Sequence, residues 1–278
     1  MNGDDQICFG RYIYGKGEEG QMNGDDEKTA VLIVSIGNGH TGSGMDVVSS
    51  IRTAIKRNFA DYAVSAVWSR RQDADTVRSA LDQALETGIR KLIVQPVYLM
   101  RGLEYQKLER QMKLYEGRFR QIVMGEPLLS DSGDYAAVCA AIAERTAAFY
   151  RAGTAVCLVG HGSQAADGNI YLRMQQMLAD AGYSHYYVGA LKAGPSIDDV
   201  IKALKAAGSC QKIVLYPFMT AAGSHACRDI AGNGNGSWKR MLEREGYEVR
   251  CILEGLGQIP AVQDVYVTHV KKAAALLL

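Results

Sequence analysis

Two of the five histidines, His161 and His225, stand where side-chain chemistry is usually placed. His161 lies in LVGHGS, directly after an apolar run. His225 lies in AAGSHAC, in the small-residue loop that follows an apolar stretch (residues 213–216) and Pro217. Imidazole is a common ligand of divalent first-row metals and can also accept a proton near neutral pH. Gly160, Gly162 and Gly223 flank the pair and let backbone approach a large flat ligand closely. A metal and proton site competes here with a plainer reading, in which each histidine caps its loop.

The other candidates carry less. Cys227 follows His225 by two positions and reads as a small buried residue before it reads as a ligand. The glycine-rich run GNGHTGSG (residues 37–44) lacks the GK[ST] ending of a P-loop and the spacing of a dinucleotide fingerprint. It reads as a mobile loop over a cleft, with His40 on it. His185 and His269 have no constellation around them. The cluster from Asn233 to Gly236 reads as a tight turn, with Trp238 anchoring the next helix.

The elements that must position the histidines alternate in type. The continuous apolar run at 30–37 (AVLIVSIG) has the character of a strand covered on both faces, and 63–68, 91–98 and 121–124 read as further strands. Between them, residues 45–59, 73–87, 104–115 and 134–151 have helical spacing, and Gly88 is a helix stop. Strands alternating with helices predict parallel βαβ units and a doubly wound α/β sheet. In such sheets the ligand lies beyond the carboxyl ends of the strands. Both histidine loops fall there.

After Gly153 the pattern starts again. AVLIVSIGN (30–38) matches AVCLVGHGS (155–163), and DTVRSAL (75–81) matches DDVIKAL (198–204). KLIVQPVYLMRGLEY (91–105) matches KIVLYPFMTAAGSHA (212–226), with Pro96 on Pro217 and Gly102 on Gly223. Three matched segments in one order predict two similar α/β domains, residues 29–152 and 153–278, with a cleft between them. His161 then lies opposite Ile36, and His225 opposite Glu104. The histidines are additions to a shared scaffold. Residues 1–28 are polar, contain MNGDD twice, and read as a disordered extension.

Bulk properties exclude some partners. The 278 residues carry a net charge of +1, which gives no footprint for nucleic acid or for electrostatic membrane binding. No run of about 18 apolar residues is present, and the start lacks a signal-peptide pattern. Six scattered cysteines without a CxxC pair suit reduced thiols in the cytoplasm. Self-association into a homo-oligomer stays open.

GHGS, VGALKAGPS and YPFMTAAGSHACRDIAGNGNGSWK together resemble the anaerobic sirohydrochlorin cobaltochelatases of cobalamin biosynthesis, class II chelatases related to ferrochelatase. The likeness runs from about Val31 to the C-terminus, including VQPVYLMRGLEY and GEPLL. It implies two similar α/β domains around a cleft, in agreement with the repeat. It also implies insertion of a divalent metal, cobalt(II) or else iron(II) or nickel(II), into a tetrapyrrole without ATP or an organic cofactor. Two pyrrole protons are released. By resemblance His161 and His225 are the metal-holding and catalytic histidines, one of them also the base for the pyrrole N–H.

The departures from the family pattern are specific. Lys192 stands where a motif like VGTVEGYP carries a glutamate. Tyr98 stands where a histidine often follows the QP pair. Ser224 in SHACRD stands where an acidic residue more often precedes the histidine, and SIGNGHTGSG at the entrance is more glycine-rich than the usual segment. A protonated lysine cannot ligate a metal. Either Lys192 pairs with one of the eight carboxylates of sirohydrochlorin, with Glu104 or Cys227 completing the metal set, or the scaffold binds a tetrapyrrole or metal without catalysis. Ser35, Gly37 and Ser224 complete the expected substrate-binding set with Lys192 and Glu104.

Overall fold

The computed structural model describes residues 28–37, 43–69, 75–162, 170–192, 194–208, 210–224 and 226–277. In chain order the elements of the first copy are β1 (Thr29–Ile36), α1 (Ser43–Asn58), β2 (Ala63–Ser69), α2 (Asp75–Glu86), β3 (Lys91–Pro96), α3 (Leu103–Lys113), β4 (Gln121–Met124) and α4 (Ser132–Thr146). The second copy follows as β5 (Thr154–Gly160), α5 (Ile170–Asp180), β6 (Tyr186–Ala190), α6 (Ile197–Ala207), β7 (Lys212–Pro217), α7 (Trp238–Arg244), β8 (Glu248–Cys251) and α8 (Pro260–Ala274). The expected extension lies outside the described residues except for Lys28, whose carbonyl accepts from the Arg90 amide at 3.2 Å.

Two parallel sheets form, ordered β2-β1-β3-β4 and β6-β5-β7-β8. The repeat holds at the level of register. Val34 pairs with Pro96 in the first sheet, and Val159 with Pro217 in the second. The amide after each proline then donates to the central strand: Val97 to Val34 at 2.7 Å and Phe218 to Val159 at 2.8 Å. Proline ends the ladder because it has no N–H to donate. The next amide re-enters the pattern and fixes how the strand-end loop leaves the sheet.

The apolar runs are continuous because each strand is buried twice. Ala30, Leu32 and Val34 of β1 face an outer core with α2 and α3, while Val31 and Ile33 face the centre of the molecule. In β5, Ala155, Cys157 and Val159 face an outer core with α6 and α7, and Val156 and Leu158 face the centre. One central cluster therefore joins both sheets.

Two helices build that centre by crossing over. The last helix, α8, packs on α1, β3 and β4 of the first copy. Tyr266 of α8 donates to the Tyr98 carbonyl at 3.2 Å, and both ring nitrogens of His269 are engaged at 3.1 Å by the Glu126 carbonyl and at 3.0 Å by Asp134. Conversely, α4 of the first copy packs on α5, and its last residue, Thr146, meets the Tyr186 hydroxyl of β6 at 2.5 Å. Arg145 on the same turn binds Glu254 beyond β8 with two hydrogen bonds of 2.6 and 2.7 Å. The sequence periodicity carries α4 on to Arg151, but the chain tightens into a 3-10 turn at Ala147–Phe149. Among the described residues no helix is long and apolar enough to cross a membrane.

Candidate functional site

The carboxyl ends of β1, β3, β5, β6 and β7 open onto one cavity of about 700 Å³ between the two sheets. Its walls are unlike. The first copy supplies apolar and aromatic groups, Val97, Tyr98, Leu99, Met100 and Leu103, with one carboxylate, Glu104. The second copy supplies His161, Lys192, Tyr171 and Phe218. The volume lies within the range of small-molecule and cofactor sites, roughly 300–1,000 Å³.

His161 is half-buried at the exit of β5. Its Nδ1 lies 3.2 Å from the Gly162 carbonyl oxygen. A carbonyl only accepts, so Nδ1 is the donor in this bond, and in the neutral ring Nε2 then carries the lone pair that a metal ligand or base requires. Gly162 adopts a φ of +84°, which a side chain would disfavour. Lys192, at the exit of β6, is exposed and lines the same cavity. It forms no ion pair among the described residues. Glu104 is half-buried in the first turn of α3, where the amino end of the helix favours a carboxylate.

The remaining expected residues divide. His225 and His40 lie outside the described residues. The residues flanking His225 place its loop at the exit of β7: Ser224 is exposed and Ala226 is buried. Ser35, Gly37 and Ser224 do not line the cavity. Ser35 is held within β1, and Gly37 sits at its exit with a φ of +126°. Cys227 is exposed and lies outside the cavity wall. Among the described residues no three His, Cys, Asp or Glu side chains converge as a metal cage.

The helix-like segment after His225 is a single π-helical turn, Ala226–Ile230. Gly232 ends it, since a Cβ there would fall 2.2 Å from the Arg228 carbonyl. Ser237 then caps α7 through the Arg240 amide at 3.2 Å and binds the Gly232 carbonyl at 2.6 Å. Trp238 is buried behind it, over Gly189, as the sequence suggests. The equivalent stretch of the first copy is the eleven-residue helix α3. The two copies thus diverge at the loop that holds His225.

Two aromatic residues of the site stand out in the structure: Tyr98, marked in the sequence only as a departure after the QP pair, and Tyr171, which carries no signal beyond apolar spacing. Tyr98 is buried beside Glu104, and burial, reinforced by that carboxylate, pushes its phenol well above the usual tyrosine range. Tyr171 is buried in the first turn of α5, and its hydroxyl oxygen accepts from the Gly162 amide at 2.9 Å. Burial raises its phenol too, against the opposing effect of that amide. At the rim Arg101 pairs with Glu126 through a 2.9 Å bond from Nε and lies 5.6 Å from the centre of the Tyr105 ring.

Comparisons with known proteins bear on the family and the fold. Residues 29–275 match the family model described as cobalt chelatase (CbiK). A sirohydrochlorin cobaltochelatase of Salmonella typhimurium is 29% identical over 201 residues, covering 72% of this chain and 75% of that protein. The sirohydrochlorin cobaltochelatase CbiKC of Nitratidesulfovibrio vulgaris is 24% identical over 262 residues, covering 90% and 92%. Among solved structures, SirB from Bacillus subtilis with Fe3+ superposes with a TM-score of 0.67 at 16% identity, over 89% of this chain and 96% of that one. That last likeness speaks for the fold. With the family model spanning nearly the whole sequence, the chain belongs to the cobalt chelatase (CbiK) family and is a metal chelatase.

Proposed function

We propose that the protein inserts cobalt(II) into sirohydrochlorin, without ATP, as a step of anaerobic cobalamin biosynthesis. The observation that carries the reading is the sharing of one cavity by His161, Glu104 and Lys192, at the strand ends where open α/β sheets usually hold their ligands. The names of the two sequence relatives support the substrate and the metal.

In this reading His161, through Nε2, and His225 hold the metal, which is the substrate of the reaction. Glu104, rooted opposite His225 in the repeat, is the carboxylate within the same cavity that can join them. The tetrapyrrole enters with its ring plane against the apolar wall of the first copy. An imidazole takes a pyrrole proton as the metal passes to the ring nitrogens. The balance is one divalent ion in and two protons out, so no electron or phosphoryl donor is needed. Metal–nitrogen bond formation and proton release supply the driving force. Lys192 binds a carboxylate of the substrate. The thiols of Cys139, Cys157, Cys210, Cys227 and Cys251 are free, which supports a reducing compartment, the cytoplasm.

The test is an anaerobic absorbance assay of sirohydrochlorin with cobalt(II), iron(II) or nickel(II). Cobalt should give the fastest conversion, and His161→Ala and His225→Ala should each lower it by at least a hundredfold. A folded wild-type protein that leaves the tetrapyrrole spectrum unchanged with every metal overturns the reading. Tight tetrapyrrole binding without turnover would identify the non-catalytic alternative instead.

A further inference from the structure

We infer that Tyr171 is a positioning residue for the metal-holding imidazole of His161, acting through Gly162. The inference rests on the proposed function for the metal-holding role of His161 and for the identity of the ion.

Gly162 is bonded on both sides. Its amide donates to the Tyr171 hydroxyl at 2.9 Å, and its carbonyl accepts from His161 Nδ1 at 3.2 Å. With a φ of +84°, Gly162 lies in a region where backbone torsions need outside support to stay fixed. The tyrosine hydroxyl anchors one end of this residue, and the imidazole reads the orientation of the other. The clamp therefore sets which ring nitrogen carries the lone pair and how the ring is turned.

The surroundings of Tyr171 are shaped for the clamp. A Cβ at Gly160 would fall 2.1 Å from the Tyr171 ring and 2.9 Å from its hydroxyl. Gly194, with a φ of +110°, would bring a Cβ within 3.1 Å of the other ring edge. Phe218 meets the ring edge-on, with centroids 6.1 Å apart. Three strand-end loops thus grip one ring. A core phenylalanine would fill the same space, so the hydroxyl is the part that packing does not explain. Outer partners that orient a metal-binding imidazole commonly contribute 10–100-fold to metal affinity.

Tyr171→Phe keeps the ring and removes only the hydroxyl. Loss of one hydrogen bond of this kind is small against the stability of a folded domain, so the variant should fold. Cobalt(II) binding to the purified protein is measured without tetrapyrrole, by calorimetry and by the visible d–d bands of the bound ion. The wild type should bind. Y171F should bind about tenfold more weakly with altered band positions. The remote core variant Ile55→Val, from α1, lowers the melting temperature by itself and should leave the cobalt affinity and bands in place. In a His161→Ala background, Y171F should cause no further loss. Unchanged affinity and bands in Y171F, or an equal loss with and without His161, would overturn the clamp. Failure of the wild type to bind cobalt would instead count against the proposed metal.

Discussion

At the scale of single residues, Lys192 is the sharpest feature of the cavity. It places an ammonium where the family pattern carries a carboxylate, and it faces a wall that includes Glu104. Were Lys192 a remnant in a dead site, its charge would serve nothing. As a partner for an acidic tetrapyrrole it supplies attraction that an exposed pair discounts to roughly 1 kcal/mol. Reversing the charge in Lys192→Glu should then raise the KM for sirohydrochlorin about fivefold to tenfold. The cobalt affinity should hold or tighten, because a cation has left the neighbourhood of the ion. Wild-type KM should rise with salt and the KM of K192E should rise less. An unchanged KM with higher turnover would remove Lys192 from substrate binding. The sequence shows both histidines because they interrupt a repeat, and Lys192 because it departs from the motif of the resembling family. It does not show Tyr171, since an aromatic residue at helical spacing looks like any core residue. The nearby signal was Gly160, a glycine in a fully buried strand, which marks a close approach.

At the scale of elements, the strands and their pairing are legible in the sequence, and the partners of two helices are not. The prolines at 96 and 217 pin equivalent registers, and continuous apolar runs announce burial on both faces. Amphipathic spacing, however, gives a helix a face without naming what covers it. This is how the crossing of α4 and α8 and the role of His269 escape a reading of the chain alone. His269 is buried, with a carbonyl at one ring nitrogen and a carboxylate at the other. Asp134 in turn accepts from the Ser130 amide and hydroxyl at 3.0 and 2.6 Å and from the Asp131 amide at 3.2 Å, forming the amino-terminal cap of α4. One carboxylate thus fastens α4 to α8. Removing one partner of such a buried pair costs about 3–5 kcal/mol. Asp134→Ala and His269→Ala should each lose that order of stability in urea unfolding, and the double variant should lose clearly less than the sum. Strictly additive losses would mean that the two side chains act separately.

At the scale of the whole molecule, the exchanged helices decide how the cavity behaves. Two lobes joined by one linker are free to hinge, and a metal held between them would shift with each motion. Here the chain passes from one copy to the other at the turn around Gly153, but α8 completes the first copy and α4 covers the second. Val262, Tyr266 and Val270 of α8 are fully buried. At about 1.5–3 kcal/mol each, these three side chains alone contribute roughly 5–9 kcal/mol, comparable with the net stability of a domain, about 5–15 kcal/mol. Neither copy can spare its borrowed helix, so the walls of the cavity are set by the same packing that folds the chain. A preformed spacing between the imidazole and the carboxylate of the cavity follows. Cutting the chain tests this directly. Residues 28–152 and 153–278, produced separately, should each lack a cooperative unfolding transition and expose apolar surface to a dye. Mixed, they should regain one shared transition and cobalt binding. A sharp independent transition in either fragment would show that its helix is an ornament, and that the cavity is free to open.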